Sequence, residues 1–324
     1  MLMDNFNRVI NYLRISITDR CNLRCKYCTE AFLPSIGHDD VLRYEEVIRL
    51  TRIAASLGVR KVRLTGGEPL RRKSLPFLLR EIDGIGTIDD ISLTTNGVDL
   101  AQYVEELKEA GLKRVNISLD TLKRDRFAYI TGVDVFDRVM RSIEKAKAAG
   151  LDPVKINTVI IKDFNDDEIL DFVDFAERFD LEVRFIEFMP FGDESVWDSS
   201  KVLHSAYLES IIREKHELEP SISPHKGPAK MFLLKGGRGQ VGFISPMSSH
   251  ICHECNRLRL TADGKLKPCL FSDAEYDVRA LLRGGATDEE IGAFIRGVVG
   301  VKPERKFESG TIKKCQRSMR HIGG

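Results

Sequence analysis

Six of the seven cysteines fall into two sets of three. Cys21, Cys25 and Cys28 have C-x3-C-x2-C spacing, and Cys252, Cys255 and Cys269 have C-x2-C-x13-C spacing. The chemistry open to a thiolate triad is metal chemistry. Three thiolates hold three corners of a cubic four-iron four-sulfur cluster and leave the fourth iron open to a small molecule, unlike an electron-transfer cluster closed by four cysteines. A structural zinc site is the alternative for each set. Closed zinc sites want four ligands, and no histidine or further cysteine stands near the first set to supply one. Beside the second, His250 or His253 could complete a tetrahedral site, so zinc stays open there. An odd cysteine count in tight clusters makes a poor disulfide framework and suits a reducing compartment. Cys315 stands apart from both sets, and we assign its thiol no role.

The elements that must position the first set are legible between residues 1 and 190, where one theme repeats: an amphipathic helix, a glycine stop, a short strand. The segments SLGVRKVRLTG (56–66), EAGLKRVNISL (109–119) and AAGLDPVKINTV (148–159) are weak copies of one another. Val47, Leu50, Ala54 and Leu57 recur at helical spacing, as do Leu100, Tyr103, Val104 and Leu107, and Phe136, Val139, Ile143 and Ala146. Gly58, Gly111 and Gly150 then stop those helices as C-terminal caps. Helices and strands alternating over short connections predict right-handed βαβ units and a parallel sheet.

The strand faces say what that sheet encloses. Leu13, Ile15 and Ile17 alternate with Arg14, Ser16 and Thr18, Val62 and Leu64 with Arg63 and Thr65, and Ile91 and Leu93 with Ser92, Thr94 and Asn96. Val115, Ile117 and Leu119 alternate with Asn116, Ser118 and Asp120, and Ile156 lies between Lys155 and Asn157. Parallel strands covered on both faces read as continuous hydrophobic runs, so five strands with one polar face predict a polar, ligand-filled interior. A closed eight-stranded barrel fills its interior with apolar side chains, so the expectation is an open, partial TIM-like barrel of about six parallel strands with flanking helices. A sixth candidate strand, residues 181–189, does not alternate cleanly. The first cysteine set follows the first strand, at the C-terminal mouth where barrel chemistry is found.

Composition shifts after residue 190, and we place a domain boundary near 220: residues 1–220 form the barrel and residues 221–324 a smaller C-terminal domain. That domain should contain one hairpin around residues 236–240 and another around Asp263-Gly264. Gly237, Gly239 and Gly242 match G-x-G-x-x-G in form only, because no helix follows to hold a pyrophosphate, and are read as a hairpin turn. Across the whole chain, 42% hydrophobic and 31% charged residues supply both a core and a solvated surface. A net charge of +1 gives no global attraction to nucleic acid or an anionic membrane. Without an apolar run of about 20 residues or a signal-peptide core in residues 1–19, a cytoplasmic enzyme is expected.

The C-x3-C-x2-C spacing with Tyr27 before its last cysteine resembles the radical S-adenosylmethionine superfamily. Thr65-Gly66-Gly67-Glu68-Pro69, ending the second strand, is similar to that superfamily's methionine-binding GGEP motif. The run HECNRLRL, Cys269 after a further thirteen intervening residues, and a terminal Gly323-Gly324 resemble one family within it, the molybdenum cofactor biosynthesis protein A cyclases. The likeness extends from LRISITDRCNLRCKYC to the terminal glycines.

The resemblance implies two four-iron four-sulfur clusters, one on each cysteine triad, with S-adenosylmethionine bound at the barrel cluster and contacted by Tyr27, Gly67, Ser118 and Met189. It implies GTP as substrate, held by Arg14, Arg63, Thr94, Lys155, Arg257 and Arg259, its guanine on the open iron of the second cluster. The implied reaction starts when an external one-electron reductant splits S-adenosylmethionine. The 5′-deoxyadenosyl radical takes hydrogen from C3′ of GTP, and the C3′ radical adds to C8 to give 3′,8-cyclo-7,8-dihydro-GTP. Cyclic pyranopterin monophosphate synthase would receive that product. Gly323 and Gly324 are implied to enter the site and assist radical initiation. A monomer or homodimer, with no nucleic-acid or membrane partner, is expected.

Overall fold

The computed structural model describes residues 1–28, 35–191, 197–221, 227–249, 251–306, 315 and 317–323. Five strands occur where alternation predicts them, β1 (Tyr12–Ser16), β2 (Lys61–Thr65), β3 (Asp90–Thr95), β4 (Arg114–Ser118) and β5 (Val154–Ile160), and the sixth candidate forms β6 (Glu182–Glu187). Between them run α1 (Tyr44–Ser56), α2 (Leu75–Asp83), α3 (Leu100–Glu109), the pair α4 (Arg124–Thr131) and α5 (Phe136–Ala148), and α6 (Ile169–Phe179). After β6 come α7 (Ser205–Arg213), β7 (Leu218–Pro220), β8 (Lys230–Leu234), β9 (Gln240–Ile244), β10 (Arg257–Leu260), β11 (Lys265–Lys267) and β12 (Tyr276–Asp277). The chain then continues through α8 (Val278–Arg283), α9 (Asp288–Gly300) and α10 (Met319–Ile322).

Gly58, Gly111 and Gly150 each lie just beyond a helix with φ of 109°, 103° and 72°, the left-handed turn that stops a helix and redirects the chain into the next strand. Apolar faces of the helices cover the outside of the sheet: Val47, Leu50, Val104, Leu107, Val139 and Ile143 are buried against the outward-facing Leu13, Val62, Leu93, Val115 and Ile156. Tyr103, grouped with the core by spacing, is instead 41% exposed. Its position flanks the apolar stripe, where an aromatic ring packs its edge and leaves its hydroxyl in water.

Among the described residues, twelve strands form one open sheet, in the order β12-β11-β10-β1-β2-β3-β4-β5-β6-β9-β8-β7. The six expected parallel strands β1–β6 stand together at its centre, and the parallel run continues past them. β10 pairs in parallel with β1 and β9 in parallel with β6, so eight consecutive strands are parallel. Both predicted hairpins form, β8–β9 and β10–β11, and each extends one edge of the barrel sheet. The glycine string at residues 237–242 lies in the first of them, with no following helix. Register now matters more than strand count. Arg259 is level with Arg14, Arg14 with Arg63, and Arg63 with Ser92, so four neighbouring strands set three arginines in one row.

β6 resisted sequence reading for a visible reason. Its inward positions are Glu182, Arg184 and Ile186, mixing charge with an apolar group. Outward-facing Glu187 is fully buried, accepting hydrogen bonds from the amides of Ser205 (2.8 Å), Met247 (2.7 Å) and Ser248 (2.9 Å). A carboxylate spent on capping α7 and a loop breaks the hydrophobic period without moving the strand.

Candidate active site

The first cysteine loop leaves β1 and is pinned from two sides. The amides of Arg24 and Lys26 bond the carbonyls of Thr131 (2.8 Å) and Ile130 (3.0 Å) at the end of α4. On the other side, the amides of Gly67 and Glu68 bond Thr18 O and Arg20 O, both at 2.7 Å. This approach requires glycine: a Cβ at Gly67 would lie 2.5 Å from Arg20 O and 2.6 Å from Asp19 O. Glu68 accepts from the Asn96 amide (2.7 Å), Thr95 Oγ1 (2.8 Å) and the Leu70 amide (3.0 Å). Burial pushes its carboxyl up to about 7. The GGEP turn thus ties β1, β2 and β3 together directly beneath the cysteine loop.

The second triad is assembled by a hairpin. Cys252 and Cys255 occupy a short turn just before β10, closed by the Cys255 amide on Cys252 O at 3.1 Å. The chain runs out along β10 and back along β11, and Cys269 follows two residues after β11, on the same side as the other two. Thirteen intervening residues are the length of that excursion.

Both triads line a single cavity. Burial raises the Cys21 thiol, raises Cys25 well above its ordinary value, and pushes Cys28 up to about 12. At Cys255 burial also pushes upward, but Arg257 and Lys302 outweigh it and bring the thiol down to about 6. Among the described residues no three histidine, cysteine, aspartate or glutamate side chains gather closely enough to hold a metal ion. A cubic cluster makes a different demand, spreading its thiolates over separate irons. His253, one candidate zinc ligand, is exposed beside Glu254 and not in the cavity wall, and His250 lies outside the described residues.

Between the triads the wall is polar and cationic. Arg14, Arg63, Arg257, Arg259 and Thr94 all line it, as do Tyr27, Gly67, Ser118 and Met189. Tyr27 donates from its hydroxyl to Asp120 Oδ2 at 2.5 Å, and burial holds that carboxyl up at about 6. Burial and the neighbouring Arg259 lower Arg14 well below the usual arginine range. Burial and Arg257 bring Arg259 down to about 10. Crowded buried cations that destabilise one another are a site prepared for an anion. Lys155 is placed differently: it is buried, with Nζ 2.6 Å from Glu182 Oε2, and does not form part of the cavity wall. Buried polar atoms in the wall with no hydrogen-bond partner include Thr94 Oγ1, Asn116 Oδ1, Asn157 Oδ1 and Arg184 Nε, which await a ligand rich in donors and acceptors.

Known proteins agree with this layout. The family model for the radical SAM superfamily matches residues 15–176, and the one for Molybdenum Cofactor Synthesis C matches residues 181–308. A GTP 3′,8-cyclase of Moorella thermoacetica is 51% identical over the whole length of both chains, and one of Syntrophomonas wolfei is 47% identical, again over both whole lengths. The chain belongs to the GTP 3′,8-cyclase family. Among solved structures, Streptococcus suis SuiB bound to S-adenosylmethionine shares the fold at a TM-score of 0.60 with 18% identity, covering 88% of this chain and 68% of SuiB.

In this member of the cyclase family the tail also reaches the cavity. Met319 lines the wall, and Arg320 is buried, donating to Asp19 O and, at 3.3 Å, to Ser35 Oγ. Gly323 follows with φ 81°, its carbonyl accepting from Arg259 Nη1 at 3.1 Å. Gly324 lies outside the described residues. The cavity also contains residues that sequence reading missed: Tyr12, Arg114, Arg184, Asn116, Asn157 and Lys302. Asn116 and Asn157 were marked as inward-facing but not as ligands. Arg114 could have been found by carrying the β4 alternation back two residues from Asn116.

Proposed function

We propose that this chain converts GTP to 3′,8-cyclo-7,8-dihydro-GTP, a first step toward the molybdenum cofactor, using S-adenosylmethionine as the radical source. The observation that carries the reading is the opening of two cysteine triads onto one cavity with a row of buried and half-buried arginines between them. Cys21, Cys25 and Cys28 are suited to hold one four-iron four-sulfur cluster, and Cys252, Cys255 and Cys269 a second. When bound, the first supplies the electron that opens S-adenosylmethionine, and the second an open coordination site for the guanine base.

The remaining work falls to the chain's own groups. Tyr27, Gly67, Ser118 and Met189 surround the space beside the first triad and would seat S-adenosylmethionine, with Gly67 allowing its backbone to come close. Arg14, Arg63, Arg257 and Arg259 offer planar donor forks to the triphosphate, with Thr94 as a neutral partner. Lys155 would act from behind Glu182; burial and Arg184 have brought its ammonium down to about 7, and an arriving phosphate would favour its charged form. Gly323 and Gly324 would assist radical initiation. Residues 1–220 thus carry initiation, and residues 221–324 carry the second cluster, two of the arginines and the tail.

No helix among the described residues is long and apolar enough to cross a membrane. We place the enzyme in the cytoplasm, as a monomer or homodimer, taking electrons from an external one-electron reductant and passing its product to cyclic pyranopterin monophosphate synthase.

Anaerobically reconstituted protein should bind about eight irons and form the cyclised nucleotide from GTP, S-adenosylmethionine and a reductant. Four irons with one zinc, or no cyclised product, would overturn the reading. Arg257→Ala or Arg259→Ala should weaken GTP binding by about 1.5–3 kcal/mol, the usual worth of a charge-assisted hydrogen bond, at unchanged iron content. Calorimetric titration with GTP measures it, and wild-type affinity in both variants would return these arginines to a structural role.

A further inference from the structure

Residues 2–10, which precede β1, lie against the second triad rather than the first. A bridge between Met3 and Val9 folds this segment back on itself, and its turn is organised by Asp4. The Asp4 carboxylate accepts from the amides of Phe6 (2.9 Å) and Arg8 (3.0 Å) and from Arg8 Nε (2.5 Å). Both side chains of that ion pair are almost completely buried. The Arg8 guanidinium still has two nitrogens to place. Nη1 donates to Cys252 O at 2.7 Å and to Glu304 O at 3.1 Å, and Nη2 donates to Pro303 O at 2.7 Å.

A second buried cation comes from the far end of the chain. Lys302 directly precedes Pro303, is 4% exposed, and donates from Nζ to Arg257 O at 2.9 Å and to Pro268 O. The carbonyls held in this way belong to Cys252 itself, to the residue before Cys269, and to the residue two after Cys255. Two branches of the triad, at Cys252 and Cys269, are therefore fixed at an adjoining peptide, and the strand leaving Cys255 is held two residues on, by two cations, one from the beginning of the chain and one from beyond α9. A carbonyl turned outward toward a cation orients its peptide plane, and with it the adjoining Cα–Cβ bond from which the thiol projects. Buried charge of this kind persists only when paired and fully bonded, and Asp4 supplies the pairing for Arg8.

We propose that Arg8, fixed by Asp4, and Lys302 are positioning residues for the second metal centre, making residues 2–10 a structural part of that centre. This rests on the reading of Cys252, Cys255 and Cys269 as cluster ligands, and the test separates the two. Wild type, Arg8→Ala, Arg8→Lys and Lys302→Met are reconstituted anaerobically in parallel, with iron content, uncoupled S-adenosylmethionine cleavage and cluster electron-spin spectra recorded with and without GTP.

Arg8→Ala and Lys302→Met should lose about four of roughly eight irons, keep uncoupled cleavage, and lose the GTP-dependent change in the spectrum. Arg8→Lys, which keeps the charge but not the fork, should retain iron and show a weakened GTP response. Arg8→Ala with full iron and a wild-type GTP response beside an eight-iron wild type would overturn the proposal alone. Equal loss of both clusters would overturn it too, because the residues would then support the whole fold. Four irons in the wild type would instead remove the second cluster on which the proposal stands.

Discussion

Deleting Gly323 and Gly324 is expected to leave about eight irons and GTP binding in place while cutting cyclised product to a few per cent or less. The helix before them, α10, holds its own position through Arg320, whose bonds to Asp19 O and Ser35 Oγ do not involve the last two residues. The truncated chain should therefore dock its tail up to Ile322 and lose only what the glycines contribute. Gly323 packs where no other residue could: a Cβ there would come within 2.6 Å of Thr65 Cγ2 and 3.0 Å of Ser16 Cβ, and φ is 81°. Its carbonyl takes one donor of Arg259, so the tail and the row of Arg259, Arg14 and Arg63 are set together. A peptide ending in Gly-Gly, added in excess, should restore part of the turnover, since a tail that acts by filling a space can be supplied from outside at an entropic cost. Product yield is measured beside iron content. Wild-type turnover in a fully loaded truncated protein would reduce the tail to an ordinary chain end.

Replacing one cysteine in each triad should give two different failures. Cys25→Ala removes a thiol from the loop pinned between α4 and the GGEP turn, and S-adenosylmethionine cleavage should fall to background. Cys255→Ala removes a thiol across the cavity, outside that loop, so cleavage should continue without product while cyclised nucleotide disappears. Each variant should retain about four irons. Among the described residues the two triads are held by different hydrogen bonds, the first through Thr18, Arg20, Ile130 and Thr131, the second through Arg8 and Lys302. Chromatographic assay of 5′-deoxyadenosine and cyclised nucleotide distinguishes the two. Identical behaviour of both variants would refute the division of labour.

What the sequence made legible was local. Cysteine spacing, alternation along a strand and glycines after helices each depend on a few neighbouring residues, and all reappear in the structure. Pairings between distant segments were not legible in that way. β10 lies beside β1 across some 245 residues, and only that pairing brings Arg259 level with Arg14. For the same reason the hairpins of the C-terminal segment, which read as parts of a smaller domain, extend both edges of the barrel sheet. Arg184 was hidden by Ile186 and Glu187, whose packing and capping duties break the period of β6. Arg8 and Lys302 carry no pattern at all: an isolated cation acquires meaning only when the backbone carbonyls that it meets are known. Lys155 shows the reverse case, a residue correctly read as inward that proves to be engaged by Glu182.

If one cavity joins a radical source at the first triad to a nucleotide held by the second, hydrogen should pass directly from C3′ of GTP to the 5′-deoxyadenosyl radical. Enzyme supplied with GTP carrying deuterium at C3′ reads this out by mass analysis of the 5′-deoxyadenosine released. One deuterium should appear in 5′-deoxyadenosine and accumulate in step with cyclised product; cyclised product formed alongside unlabelled 5′-deoxyadenosine would contradict that transfer.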